Sequence, residues 1–240
     1  MTAVTTILVG LGVLAYLLSV ALQYLVQSFE HAAEIDRRAL ESEVAQREAE
    51  LRALRAQVDP HFLFNSLNSI SGLIGADPAK ARQMCQLLAD FLRESLTVGS
   101  ARRIPLSREV ALAQQYLRIE QVRFGDRLQV RTAVALDGRD LSVPPLILQP
   151  LVENAVRHGI ATRLDGGAID IAARLAGNQA VIIVANPRDP DATRKGTGLG
   201  LENVRRRLAA AFGDRAALSV EVAAESYRVA LSLPLEESGT

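Results

Sequence analysis

The chain has 240 residues, of which 49% are hydrophobic, and its 27 basic and 27 acidic side chains leave no formal net charge. This balance gives no electrostatic basis for direct binding to nucleic acid. The single cysteine, Cys85, excludes an intramolecular disulfide and a four-cysteine metal site, and the three histidines, His31, His61 and His158, lie too far apart in sequence for a metal-ligand spacing.

The first segment is an apolar run, because residues 2–29 contain no charged side chain. As a helix, Ala3–Val26 would span about 36 Å, enough to cross a hydrocarbon core of about 30 Å. A buried core helix or a cleaved signal peptide fits less well, since the run is uniformly apolar and no basic region precedes it. We predict a single-pass anchor in the inner (cytoplasmic) membrane over residues 1–29, in contact with the lipid bilayer. The catalytic part then lies in the cytoplasm, and we expect no extracellular ligand-binding domain.

The next segment, residues 30–57, is charged and helix-favouring. Its seam positions, at alternating steps of four and three, are Ala33, Arg37, Leu40, Val44, Arg47, Leu51, Leu54, Val58 and His61. This heptad pattern indicates a parallel coiled-coil dimer weakened by two arginines, and a single solvated helix is the alternative.

The segment Gln57–Asn68 places one imidazole, His61, in an apolar and amide-rich helical pattern. Val58, His61 and Asn65 share a helix face, and Pro60 predicts a kink beside the histidine. A neutral imidazole can accept a phosphoryl group, but a packed helix histidine explains the local pattern equally well.

A second helix is predicted from Pro78 to Thr97, after a turn at Gly72 and Gly75 and an N-cap at Asp77. The residues predicted to share its buried face are Ala81, Cys85, Leu88, Phe91, Leu92 and Leu96. Residues 58–99 then form an antiparallel hairpin, and two hairpins make a four-helix bundle in a dimer. A second domain over residues 100–240 begins after the linker Gly99–Pro105.

That second domain has the pattern of a mixed α/β fold. Ser107 is predicted to cap a helix that continues through YLRIEQVRFGDRL, and Pro144–Gly159 and Leu201–Phe212 are predicted to be helical. The predicted strands are Leu128–Val134, Ala168–Leu175, Ala180–Asn186, Leu218–Ala223 and Tyr227–Leu233, with a turn at Asp137-Gly138. The polar stretch Asn186–Gly200 has the composition of a mobile lid.

Two motifs of this domain suit a nucleotide. In QPLVENAVRHG, Glu153 and Arg157 are four residues apart, as are Asn154 and His158, and such a set suits Mg²⁺ and a polyphosphate. A surface salt bridge with a capping histidine is the alternative. In GTGLGLENV, the alternating glycines Gly196, Gly198 and Gly200 precede a helix whose positive end favours phosphate, although flexible loops have the same composition.

In the order DPHFLFN, LQPLVENAVRHG and GTGLGLENVRRRL, the sequence resembles the LytS-type sensor histidine kinases over roughly residues 50–235. The resemblance implies a GHKL-type (Bergerat) α/β sandwich that binds ATP, so the fold class is α plus α/β. It also implies a homodimer and, as a partner, a response regulator, which in this family is often one of LytTR type.

By this resemblance His61 is the phosphoacceptor, Glu153 polarises the reacting groups and Asn154 holds Mg²⁺. Arg157 or His158 then contacts phosphate, and the three glycines line the triphosphate. The family position after the histidine is Phe62, so Asp59 and Asn65 are the candidates for orienting the imidazole.

The sequence departs from common histidine kinases where an Asp-x-Gly-x-Gly box would read adenine. Asn186-Pro187-Arg188-Asp189-Pro190 stands there, which predicts weaker ATP binding. The amide fork of Asn186 matches the donor and acceptor pattern of adenine, and a turn former that ends a strand is the equal alternative.

The sequence therefore predicts a membrane-anchored histidine kinase that autophosphorylates on His61 and passes the phosphoryl group to a response regulator. One alternative is a signalling scaffold with weak or lost ATP binding that acts by binding its partner. Another is a GHKL ATPase of chaperone or topoisomerase type, which leaves the DPHFLFN helix without a purpose.

Overall fold

The computed structural model describes residues 60–189 and 199–235 of the chain. The described elements, in chain order, are α1 (Pro60–Ala76), α2 (Pro78–Gly99), β1 (Ile104–Pro105), α3 (Leu106–Phe124), β2 (Leu128–Ala135), β3 (Ser142–Val143), α4 (Gln149–Ala155), β4 (Gly167–Ala176), β5 (Gln179–Pro187), α5 (Leu199–Phe212), β6 (Ala217–Val222) and β7 (Ser226–Pro234). The predicted combination of helices and an α/β part is confirmed to this extent. The predicted membrane helix and coiled coil lie outside the described residues, within which no helix is long and apolar enough to span a bilayer.

Helices α1 and α2 are joined at Asp77 and pack against each other. The Asp77 carboxylate accepts a hydrogen bond from the Lys80 N–H at 3.1 Å, which confirms the predicted N-cap. The turn predicted at Gly72 and Gly75 is wrong, because both glycines lie inside α1. The chain turns instead at Asp77-Pro78, where the proline lacks the N–H that would continue α1.

The buried face of α2 differs from the predicted one. Cys85 is exposed and Leu96 is 47% exposed, whereas Met84 is fully buried. The reason is the position of α3, whose Tyr116 ring lies 6.1 Å from the Phe91 ring of α2, on the helix face that Phe91 shares with Met84. The residues of α2 that are buried are Ala81, Met84, Leu88, Phe91, Ser95 and Val98.

Helix α3 begins one residue before the predicted cap. Pro105 occupies the N-cap position, and Ser107 lies in the first turn, where its N–H and hydroxyl both donate to the Asp140 carboxylate. The Asp140 carboxylate, from a loop distant in sequence, therefore caps the first turn of α3, and Ser107 is not the cap. Residues from Gln57 onward form one compact unit whose core runs from Phe62 to Leu233, and the division at residues 99 and 100 stays a prediction.

Five strands form a mixed sheet in the order β2-β4-β5-β7-β6, with β2 and β4 parallel and the other pairs antiparallel. All five strands were predicted, and the Asp137-Gly138 turn is confirmed by positive φ angles of 51° and 77°. Alternate residues of β4, β5 and β7 are buried, so one face of the sheet belongs to the core. Helices α4 and α5 contact this sheet through β5 and β6.

The glycine segment before α5 falls mainly in the undescribed range. Of the predicted lid Asn186–Gly200, residues 190–198 lie outside the described residues, and Gly196 and Gly198 are among them. Helix α5 starts at Leu199, two residues before the predicted start, so Gly200 belongs to its first turn.

Candidate functional site

His61 lies in the first turn of α1 and is exposed, whereas the next residue, Phe62, is only 4% exposed. The Phe62 ring meets Phe91 of α2 at 5.5 Å and Tyr116 of α3 at 4.8 Å between centroids. This aromatic cluster fixes the rotation of α1, so that the imidazole points away from the core. The residues upstream of Pro60 are not described, so the predicted kink beside His61 stays a prediction.

Asn65 is one helical turn after His61 and contacts its ring. The Asn65 amide nitrogen lies 3.1 Å from Nδ1 and 3.2 Å from Nε2 of the imidazole. The two distances are nearly equal, so the Asn65 amide lies against the imidazole ring and limits its rotation. Asn65 therefore has the geometry expected of an orienting residue, and the other candidate, Asp59, lies outside the described residues.

The prediction of one helix from Pro144 to Gly159 is wrong at its start, whereas its predicted end lies within one residue of Ile160, where the helical segment ends. Residues 144–148 form a non-helical loop, α4 begins only at Gln149, and Val156–Ile160 follows as a π-helical turn. Leu146 has a left-handed φ of 57°, which a helix cannot include, and Pro145 disfavours a helical backbone at the residue before it. The pairing of Glu153 with Arg157 and of Asn154 with His158 assumes the pitch of an α-helix. The π-turn is wider than an α-helical turn, so it changes how these side chains align.

Helix α4 presents three oxygen-bearing side chains, Gln149, Glu153 and Asn154, within six residues. The Gln149 amide nitrogen donates to Glu153 Oε1 at 2.9 Å, and Glu153 and Asn154 are half-buried. Gln149 is 5% exposed, and its Oε1 has no hydrogen-bond partner among the described residues. Carboxylate and amide oxygens suit Mg²⁺, and a buried acceptor without a partner is consistent with a missing ligand. The residues present therefore fit the implied metal.

The two basic candidates of this motif differ in charge state. Arg157 is exposed, while His158 is half-buried. Burial, and then the neighbouring Arg157 charge, lower the pKa of the His158 imidazole. Near neutral pH, His158 can therefore donate one hydrogen bond to a phosphate, and the positive charge comes from Arg157.

Asn186 lies at the end of β5, against the π-turn. It is 6% exposed, and its amide nitrogen donates to the Pro187 carbonyl at 2.7 Å. A Cβ on Gly159 would be 2.4 Å from the same nitrogen, so the amide packs directly on the Gly159 backbone. From the sequence, the Asn186–Pro190 segment and the motif QPLVENAVRHG are connected only through the family resemblance. The structure brings Asn186 of the first into contact with Gly159 of the second. Gly200 likewise lies close to α4, since a Cβ there would be 3.6 Å from Pro150 Cβ.

Sequence reasoning missed Glu109 of α3. Its side chain is 1% exposed, and its carboxylate accepts hydrogen bonds from the Leu146, Ile147 and Leu148 N–H groups just before α4. The only sequence signal is an acidic residue at an otherwise apolar helix position, and nothing in the sequence shows which backbone it meets.

The chain is similar in sequence to known proteins. A family model described as histidine kinase matches residues 49–128. Sensor histidine kinase BtsS of Escherichia coli (strain K12) is 39% identical over 189 residues, which cover 78% of this chain and 34% of BtsS. The sensor histidine kinase/phosphatase LytS of Staphylococcus aureus (strain Mu50) is 34% identical over 204 residues, covering 79% of this chain and 35% of LytS.

The chain belongs to the LytS-type histidine kinase family. The resemblance predicted from the three motifs is thereby confirmed. This LytS-type chain spans about a third of the length of the curated relatives it matches. The histidine kinase domain of a blue-light activated kinase from Erythrobacter litoralis overlays with a TM-score of 0.43 at 20% identity, covering 79% of this chain and 94% of that chain. The family assignment depends on the sequence relatives and not on this overlay.

Proposed function

We propose that the chain is a membrane-anchored sensor histidine kinase that autophosphorylates on His61 with ATP and passes the phosphoryl group to a response regulator. The observation that carries the proposal is the exposed His61 imidazole held by Asn65, in a LytS-type chain that also has the Gln149–Glu153–Asn154 set. A phosphoacceptor must be reachable by a nucleotide bound elsewhere, and the aromatic cluster behind Phe62 supports such an outward position.

In the proposed reaction, the terminal phosphorus of ATP forms a bond to an imidazole nitrogen of His61 and ADP leaves. The attacking nitrogen must carry a lone pair, so a neutral ring is required. The Asn65 amide would limit the rotation of this ring. Such positioning supplies much of the rate acceleration in phosphoryl transfer.

The proposed ATP site consists of α4, the end of β5 and the start of α5. Asn154 and the Gln149 and Glu153 oxygens would hold Mg²⁺, which when bound neutralises part of the triphosphate charge. Arg157 would contact phosphate by charge and His158 by an N–H donor. Gly196, Gly198 and Gly200 would let backbone N–H groups approach the phosphates, and the base site would include the buried Asn186.

The proposed partners are a second copy of the chain, the lipid bilayer and a response regulator, of LytTR type by family resemblance. Support for a homodimer comes from three side chains of α1 at helical spacing, Phe64, Leu67 and Ile74, which are 68%, 55% and 61% exposed. An apolar stripe of this kind at steps of three and seven suits a helix bundle between two copies. We propose that residues 1–29 anchor the dimer in the cytoplasmic membrane by a single pass.

The second candidate is a kinase-like scaffold with weak or lost ATP binding. It is favoured by Asn186, whose amide nitrogen already donates to Pro187 and packs on Gly159, as a strand-ending residue would. Nucleotide-binding calorimetry on Asn186→Ala and Asn186→Asp tests the base-reading role. If the alanine variant binds ATP as tightly as the parent and prefers it over GTP to the same degree, Asn186 does not read the base.

Labelling of the full chain in detergent micelles tests the proposed function. With Mg²⁺ and ATP carrying a labelled γ-phosphate, we expect the parent to incorporate label and His61→Gln to incorporate none. Asn154→Ala should reduce labelling through the metal and leave His61 intact. Binding of a response regulator without any labelling of the parent would support the scaffold instead.

A further inference from the structure

Strand β2 lies at one edge of the five-stranded sheet, with β4 as its one neighbour among the described strands. Its eight residues, Leu128–Ala135, pair one for one with Gly167–Arg174 of β4, so β2 contains no bulge. In a strand without a bulge, the backbone N–H and carbonyl groups of successive residues point alternately to the two edges of the strand. The direction of one residue therefore fixes the direction of all the others.

Leu128, the first residue of β2, gives this direction. Its N–H donates to the Gly125 carbonyl, and its carbonyl accepts a hydrogen bond from Gln121 Nε2 at 3.3 Å. Both partners precede β2 in the chain and neither belongs to β4, so the backbone groups of Leu128 point away from β4. Every second residue after Leu128 therefore points to the outer edge of the sheet as well.

The residues that face outward in this way are Val130, Thr132 and Val134. Among the described residues, none forms a backbone hydrogen bond with the N–H or carbonyl groups of these three on the outer edge. Thr132 is exposed and Val134 is 46% exposed, so this length of edge is accessible. A row of unpaired N–H and carbonyl groups on an accessible strand is what the addition of a further strand requires.

A cavity of about 770 Å³ adjoins the beginning of this edge. It is lined by the consecutive residues Leu128, Gln129 and Val130. Because consecutive side chains of a strand point to opposite faces, a cavity that meets all three lies beside the strand and not over one face. Its other walls come from Lys80 and Gln83 of α2 and from the end of α3. The cavity therefore leaves room for the end of an added strand.

The outer edge of β2 is complementary to a second copy of itself. When two β2 strands run antiparallel about a twofold axis at Thr132, Val130 of each copy faces Val134 of the other, and the two Thr132 residues face each other. This is the only register in which all three outward residues of both copies find partners. Pairs of β-branched residues stabilise antiparallel strands, and the one charged residue of β2, Arg131, then faces Ala133 and not a like charge.

We propose that two copies of the chain pair through their β2 edges, antiparallel and centred on Thr132. The surface is separate from the exposed α1 stripe of Phe64, Leu67 and Ile74. It contains no residue of the proposed ATP site, so the inference goes beyond the proposed function. The opposite edge strand, β6, has six residues where β2 has eight, and short edge strands protect a sheet against such pairing.

Cysteine cross-linking of the full chain in detergent micelles tests this pairing. Cys85→Ser first removes the native thiol, which is exposed on α2. In a hydrogen-bonded antiparallel pair, facing Cα atoms lie about 5.5 Å apart, within the range that a disulfide spans. Thr132→Cys should therefore form a disulfide between two copies under mild oxidation. Ala133→Cys is the matched control, because its Cα atoms in the two copies would lie about 8 Å apart, too far for a disulfide.

A mixing experiment tests the antiparallel direction independently. Val130→Cys alone and Val134→Cys alone should give little disulfide, because like positions in the two copies would lie about 14 Å apart. Mixed in equal amounts, the two variants should cross-link, since position 130 of one copy faces position 134 of the other. We expect the yield from Thr132→Cys and from the mixture to exceed that from Ala133→Cys by at least about tenfold.

Two results would overturn the pairing. If Thr132→Cys cross-links no better than Ala133→Cys, two copies do not meet at this edge, and water or a different protein occupies it. If the mixture of Val130→Cys and Val134→Cys cross-links no better than either variant alone, the antiparallel register centred on Thr132 is wrong. Neither measurement needs a nucleotide, so failure of the pairing and failure of His61 labelling are separate results.

Discussion

Replacing Gly159 by alanine tests how the π-turn after α4 meets the end of β5. The added Cβ would lie 2.4 Å from Asn186 Nδ2, 2.9 Å from its Cβ and 2.9 Å from its Cγ. Carbon atoms pack at about 3.5–4.0 Å, so Asn186 must move by about 1 Å. Asn186 is buried and bonded to the Pro187 carbonyl, so it has little room to move.

The expected cost follows from three contributions. Overpacking costs about 1–3 kcal/mol, and loss of the Asn186 hydrogen bond adds about 1 kcal/mol. Alanine stabilises a helix by up to about 1 kcal/mol relative to glycine, which offsets part of this cost. The net destabilisation expected for Gly159→Ala is about 1–3 kcal/mol. Gly72→Ala is the matched control, because no atom lies within 4 Å of its added Cβ inside α1. This control should stabilise the protein by about 0.5–1 kcal/mol.

Urea unfolding of the full chain in mild detergent measures both changes. Asn186→Ala removes the closest overlap, so combining it with Gly159→Ala should cost less than the sum of the single variants by about 1 kcal/mol. Strictly additive effects, or a stabilising Gly159→Ala, would refute the direct contact between Asn186 and the π-turn.

The remaining predictions concern the hairpin and His158. Phe62→Ala should destabilise the fold by about 3–5 kcal/mol in urea unfolding, since it empties the aromatic cluster with Phe91 and Tyr116. The matched variant Phe64→Ala, at a 68% exposed position, should instead weaken the dimer in analytical ultracentrifugation, and equal unfolding costs for the two would contradict this assignment. The pKa of His158 is lowered in the folded state from its ordinary 6.5, so the unfolded chain binds a proton first as pH falls. The parent should therefore lose stability relative to His158→Gln as pH drops through 6.5, and parallel urea midpoints across pH 5–8 would contradict the lowered pKa of the His158 imidazole.

The sequence predicted elements well where one periodicity was strong. All five strands of the mixed sheet and the Asp77 cap follow from alternation and from local capping chemistry. The buried face of α2 was rotated, because Cys85 and Met84 are equally apolar and only the position of α3 distinguishes them. Local patterns carry no information about which neighbour a helix will meet.

The sequence singles out residues for the candidate site, but it does not show which contacts hold them in place. His61, Asn65 and the Glu153–Asn154 pair stand out by residue type and spacing. The loop before α4 was taken as helix, since the hydrogen bonds that hold Leu146 in a left-handed conformation come from Glu109, 37 residues earlier. Such long-range backbone capping leaves no periodic signal in the sequence.

The central claim, that His61 is the phosphoacceptor, is tested most directly by locating the phosphate. After incubation of the full chain with Mg-ATP, trypsin cleavage after Arg55, Lys80, Arg157 and Arg163 separates His61, in residues 56–80, from His158, in residues 158–163. We predict an acid-labile and base-stable phosphate on the His61 peptide alone, detected by mass spectrometry under alkaline conditions. Phosphate on the His158 peptide, or an acid-stable phosphate on a hydroxyl side chain, would contradict the account.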